Sequence, residues 1–127
     1  MLPAPVTDLR EPLPLFVYGT LTDPVFTRNL LEHPVSAVEA RLPGFETVYF
    51  PGLAYPTVLQ SDDGTSEGRL YRGLGEEDFR RLDAYEGVGE GLYQRVRVLV
   101  EATDRGDSEP AWVYLATGKT ISRLTRG

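Results

Sequence analysis

Residues 15–24 read Leu-Phe-Val-Tyr-Gly-Thr-Leu-Thr-Asp-Pro, and this short stretch holds a strand, a turn and the start of a helix. Leu15-Phe16-Val17-Tyr18 is a run of β-formers closed by Gly19, which predicts a buried strand. Asp23 followed by Pro24 predicts a helix N-cap and first helical residue, because the Asp side chain accepts from free amides and proline has no amide to leave unpaired. The helix runs to about Glu32, with Phe26 and Leu30 on its apolar face, and Pro34 marks its end. Between the two, Tyr18-Gly19-Thr20-Leu21 places consecutive unpaired backbone amides beside a helix start, the arrangement of an anion or oxyanion site. A plain structural turn has the same signature, so both readings stay open on this motif alone.

Outward from that stretch, Val35–Leu42 and Phe45–Phe50 read as strands separated by Pro43-Gly44. Residues 51–56 read as an irregular loop, Thr57–Gln60 as a short strand, Ser61-Asp62-Asp63-Gly64 as a turn and Glu67–Leu74 as another strand. Glu76–Glu86 reads as the second helix, with acidic residues in its first turn and Gly87 at its C′ position. A hairpin of Tyr93–Ala102 and Glu109–Thr117 follows, and Gly118–Gly127 is expected to be a flexible tail. The order β-α-β-β-β-β-α-β-β lacks strict strand–helix alternation. It predicts an α+β domain: a small curled mixed sheet or β-barrel flanked by helices, occupying 1–127 with its core at about 15–117.

Composition narrows the chemistry. The chain has 127 residues, enough for a hydrophobic core, and no cysteine, which excludes disulfides, thiolate metal ligation and a cysteine nucleophile. The net charge of −6 and pI of about 4.8 repel phosphate backbones, so no nucleic-acid partner is expected. No signal-like or membrane-length apolar run is seen, so a soluble cytoplasmic protein without a membrane partner is expected. The single histidine, His33, reads as a partner of a helix C-terminus. Asp62-Asp63 and Asp104/Asp107/Glu109 lack calcium-loop spacing and read as solvated turns, so no metal is expected.

Glu86 stands out instead. Phe79, Leu82 and Glu86 are spaced by three and four, so they share one helical stripe, and its apolar members face the core. A carboxylate there is disfavoured by burial and by the helix C-terminus, and both raise its pKa toward the range of a general base. The opposing reading is a Glu that turns to solvent as the helix ends. Asp83, one position off the stripe, reads as solvated or locally paired. Trp112, Tyr114 and Ala116 share one strand face and read first as core, while a tyrosine can also put its hydroxyl at a pocket edge; Tyr93 opens a strand soon after Glu86, in position to overlook the same cavity.

The pieces FVYGTL (16–21), YPTV (55–58), EGRLY (67–71), LDAYEG (82–87), LYQR (92–95) and WVY (112–114) together resemble the gamma-glutamylcyclotransferase superfamily, in its AIG2-like branch that includes the gamma-glutamylamine cyclotransferases. The resemblance implies a compact β-barrel flanked by helices. It implies that the loop of Tyr18, Gly19, Thr20 and Leu21 holds a γ-glutamyl group and that Glu86 is the catalytic acid/base, with Tyr93 and Tyr114 lining the pocket. The implied reaction needs no cofactor: the substrate's own α-amino group attacks its γ-carbonyl, closing 5-oxoproline and releasing an amine. The loop amides then bind either the α-carboxylate or the oxyanion. The VGEG segment at 88–91 reads as a flexible pocket lip or a simple connecting turn. The alternative is a non-catalytic small-molecule-binding or protein-interaction module on the same fold. The sequence assigns no oligomeric state.

Overall fold

The computed structural model describes residues 8–51 and 56–125. Strand β1 (Leu15–Val17) leads through a 3₁₀ turn (Gly19–Thr22) to helix α1 (Pro24–Leu31). Two long strands follow, β2 (Ser36–Val48) and β3 (Thr57–Arg72), then helix α2 (Glu76–Tyr85), the hairpin β4 (Tyr93–Ala102) and β5 (Ser108–Ala116), and helix α3 (Gly118–Thr125). The strands close into a barrel in the order β1-β3-β2-β4-β5. The fold is α+β, a closed five-stranded barrel with helices.

Four of the strands expected from the sequence are two. Pro43-Gly44 does not end a strand; the ladder continues from the Pro43/Thr65 pair to the Phe45/Gln60 pair, so 61–64 lie opposite Gly44. Gly44 takes φ +86°, which absorbs the bulge, and Ser61–Gly64 stay within β3 rather than forming a free turn. The expected tail is also different: 118–125 form α3, joined to the hairpin where the amide of Ile121 bonds to the carbonyl of Thr117 at 2.9 Å. The Gly52–Tyr55 part of the expected loop lies outside the described residues, as does the amino-terminal segment 1–7.

Alternation along the strands builds two apolar layers. Phe16, Leu42, Leu70, Val100, Ala111 and Val113 form the cluster inside the barrel. Leu15, Val17, Tyr71, Trp112 and Tyr114 point the other way and meet Leu31 of α1 and Phe79 and Leu82 of α2. The outward layer glues both helices to one side of the barrel. Gly68 makes the β1–β3 contact possible: a Cβ there would lie 2.2 Å from the carbonyl oxygen of Val17.

Charged pairs brace the connections. Asp78 accepts from the Gly75 amide at 2.9 Å and also meets His33 Nε2 at 2.6 Å. His33 therefore bridges the end of α1 to the start of α2, rather than acting on its own helix terminus. The acidic loop after β4 is likewise more than a solvated turn, because Arg72 clamps Asp104 (2.8 Å) and Glu109 (2.7 Å).

Candidate active site

β1 ends where the chain must leave the barrel and enter α1. Gly19 makes that turn with φ +66°, close against the ring of Pro56. The turn is held from behind: the carbonyl of Leu21 accepts from the hydroxyls of Thr27 (2.8 Å) and Tyr71, and Thr22 Oγ1 donates to the Gly19 carbonyl at 2.5 Å. Asp23 caps α1 by accepting from the amides of Val25 (2.9 Å) and Phe26 (3.4 Å). In a 3₁₀ turn each amide bonds three residues back, so the first amides, Gly19 and Thr20, have no partner within it.

Glu86 is the C-cap of α2; its amide closes the last turn on Leu82 at 2.9 Å, and Gly87 follows at φ +68°. Phe79 and Leu82 are buried, as the stripe demands, and they carry Glu86 into a cavity instead of into solvent. Burial pushes its carboxyl from an ordinary value of 4.5 up to about 7. Among the described residues the carboxylate makes no hydrogen bond or ion pair that would offset this.

The cavity holds about 290 Å³ and is lined by Tyr18, Gly19, Thr20 and Leu21 from the turn, Tyr85 and Glu86 from α2, and Tyr93 and Tyr114 from the hairpin, with Pro56 and Leu92 at its edges. All seven residues singled out in the sequence therefore meet in one place. The VGEG segment contributes none of the lining side chains. It forms tight turns instead, with the amide of Leu92 returning to the Gly87 carbonyl at 3.0 Å and that of Gly91 to Val88 at 3.1 Å. Tyr85 stands half-exposed at the cavity, edge-on to Phe26 with ring centres 5.3 Å apart.

Two of the four tyrosines that line the cavity, Tyr18 and Tyr114, have hydroxyls already engaged. Tyr18 donates to the main-chain carbonyl of Tyr114 and Tyr114 donates to Asp83 Oδ1, each at 2.6 Å. Burial raises both phenol pKa values well above the ordinary range, with the Glu86 charge adding to each, so both stay protonated. Behind Tyr114, Arg95 grips both oxygens of Asp83 at 3.0 and 3.3 Å. Arg95 shares one face of β4 with Arg97 and Leu99; α2 covers Arg95, while Arg97 and Leu99 stay exposed. Asp83 is thus paired, but with a residue of β4 rather than with a local neighbour. The Arg95 partnership had one sequence signal, the arginine alternating with valines at the start of a hairpin, but its register opposite Tyr114 is a tertiary fact.

Residues 15–126 match the family described as gamma-glutamyl cyclotransferase, AIG2-like. The chain belongs to that family. It is similar to AIG2-like protein A of Arabidopsis thaliana, 30% identical over 105 residues that cover 83% of this chain and 62% of that protein. The chain thus spans about three fifths of the length of this relative. A second Arabidopsis thaliana protein, known from its solution structure, superposes with a TM-score of 0.75 at 28% identity, covering 88% of this chain and 73% of that one. The crystal structure of a mouse AIG2-like protein gives a TM-score of 0.68 at 21% identity, over 86% and 82% of the two chains, and supports the fold of the family. No helix among the described residues is long and apolar enough to cross a membrane.

Proposed function

We propose that this protein cyclises a γ-glutamyl compound, a γ-glutamylamine in the first instance, to 5-oxoproline with release of the amine. The observation that carries the proposal is the Glu86 carboxyl, its pKa raised by burial to about 7, in a cavity that the Tyr18–Leu21 turn also lines. A group titrating there can take a proton from the substrate ammonium near neutrality and return one to the leaving nitrogen.

The steps use few parts. Glu86 accepts a proton from the α-ammonium, the freed amine attacks the γ-carbonyl, and the tetrahedral carbon collapses as Glu86 protonates the departing amine. The new bond is the ring C–N and the broken bond is the amide C–N; the first proton passes through Glu86 to the departing nitrogen, and the second, lost from the ring nitrogen as the tetrahedral carbon collapses, leaves on the released amine as its ammonium form. Folding the substrate so that amine and carbonyl meet is worth about 7–11 kcal/mol in well-oriented intramolecular reactions. The turn amides, those of Gly19 and Thr20 foremost, anchor the substrate carboxylate or the developing oxyanion. Tyr18, Tyr93 and Tyr114 complete the pocket wall.

The test is 5-oxoproline release from a panel of γ-glutamylamines and γ-glutamyl dipeptides by the wild type and Glu86→Gln. Turnover that collapses in the variant supports the assignment, and the best leaving amine names the substrate class. A folded wild type that releases none across the panel would favour a non-catalytic binding module. Equal turnover by Glu86→Gln would remove Glu86 from the mechanism.

A further inference from the structure

A phenol has one proton to donate and two lone pairs with which to accept. Tyr114 gives its proton to Asp83, and Tyr18 gives its own to the Tyr114 carbonyl. With those protons committed, both phenol oxygens can meet a ligand only as acceptors. Glu86, when ionised, is a third acceptor, and no lysine, arginine or histidine is among the described residues lining this cavity. Beside the donor amides of the turn, three acceptors without a cationic side chain match the part of a ligand that donates and carries positive charge, as an ammonium does.

The commitment of Tyr114 depends on a group outside the cavity. Neither Asp83 nor Arg95 lines it; both line a neighbouring cleft beneath residues 9–12. Asp83 is held against rotation because Arg95 grips both its oxygens. Arg95 in turn has nowhere to move. It donates to the Leu9 carbonyl at 3.1 Å, and its guanidinium lies 4.5 Å from the ring centre of Phe79 and 4.9 Å from that of Trp112. Its side chain is only 5% exposed, and a buried charge so fixed requires a carboxylate at the Asp83 position.

We propose that Asp83, held by Arg95, is a positioning residue that fixes Tyr114 as a hydrogen-bond acceptor and so gives the cavity its selectivity for a ligand ammonium group. The identification of that group as the substrate α-ammonium rests on the cyclotransferase reading; the preference for an ammonium does not. In the reaction, acceptors that hold two N–H bonds of the amine leave its lone pair free to attack once Glu86 has taken the third proton.

Calorimetry with two sulfonamide isosteres of a γ-glutamyl alkylamide, one bearing the α-amino group and one lacking it, tests this with ligands that do not close to 5-oxoproline. At a pH above the titration of Glu86, the wild type is expected to bind the amino probe at least tenfold more tightly. Asp83→Asn and Tyr114→Phe are each expected to lose roughly tenfold of that preference, the scale of one hydrogen bond to a charged group. Binding of the deamino probe should hold within about twofold, and the double variant should lose no more than either single one, because Asp83 acts through Tyr114. Tyr114→Phe leaves the Asp83–Arg95 pair in place, so the test survives a poorly folded Asp83→Asn. Equal weakening of both probes would reduce Asp83 to structural support, and an unchanged preference in both variants would overturn the proposal. A wild type that discriminates the probes but forms no 5-oxoproline defeats the cyclotransferase reading alone; turnover without discrimination defeats this proposal alone.

Discussion

The hydroxyl of Tyr18 donates to the main-chain carbonyl of Tyr114 across 2.6 Å, joining residues 96 apart in sequence. It does so beside the thinnest seam of the barrel, where β1 and β5 share a single paired position, Leu15 with Trp112, helped by the Trp112 amide on the Pro14 carbonyl at 2.8 Å. Tyr18→Phe keeps the ring and removes the bond, leaving the Tyr114 carbonyl without its hydroxyl partner. The expected cost is about 1 kcal/mol, read as a lower urea midpoint with an unchanged slope. A midpoint equal to wild type would show that the bond contributes no net stability.

Glu86 predicts a stability that depends on pH. Its folded-state pKa, about 7, lies above the ordinary 4.5, so folding favours the neutral carboxyl. The stability tied to that neutral form is complete below about pH 4.5 and is lost as pH rises to about 7. Glu86→Gln, permanently neutral, should therefore match wild type in acid and become more stable by about 2–3 kcal/mol above neutrality. Denaturation of both proteins across that window checks the sign as well as the size. In the proposed reaction the wild-type kcat/KM should rise through the same range, since the base form is needed first.

Gly68 has no room for a side chain. An added Cβ meets the Val17 carbonyl oxygen at 2.2 Å and the Phe16 ring at 2.7 Å, and both belong to the strand that feeds the Tyr18–Leu21 turn. Gly68→Ala should cost about 2–3 kcal/mol by forcing β1 away from β3. Because β1 carries the turn, substrate affinity should fall with stability. A Gly68→Ala protein with wild-type stability would show that the seam can widen without strain.

Arg95→Met leaves Asp83 beside apolar rings without its counter-ion. A loss of about 2–3 kcal/mol is expected, less than for a fully enclosed pair because Asp83 remains 29% exposed. Adding Asp83→Asn to Arg95→Met should recover part of that loss, since the stranded charge is then gone. Chemical denaturation of the four proteins in a double-mutant cycle measures the coupling, and a coupling near zero would mean that the pair is dispensable for folding.

Much of this was legible along the chain because it is local. The Asp23-Pro24 cap, the acidic first turn of α2 and the Gly87 stop are decided within a few residues, and the structure has each where the sequence places it. Glu86 was legible for a related reason: a carboxylate on a stripe with Phe79 and Leu82 is an inconsistency visible from spacing alone. The strand breaks failed where local signals were overridden. Pro43-Gly44 and Asp63-Gly64 are ordinary turn dipeptides, yet the partner strand absorbs them as a bulge because the ladder on either side keeps pairing.

The sequence by itself determined the first two helices, most of the strand residues, the α+β class, and the candidacy of Glu86 and the Tyr18–Leu21 turn, because propensity, capping and amphipathic spacing act over a turn or two. Only the tertiary structure decided that the barrel closes, that the turn and Glu86 share a cavity with Tyr93 and Tyr114, and that Asp83 and Arg95 stand behind Tyr114. Those relations join positions 12 to 96 residues apart. They are set by strand register and by packing of an outward apolar layer against two helices, which no local window contains.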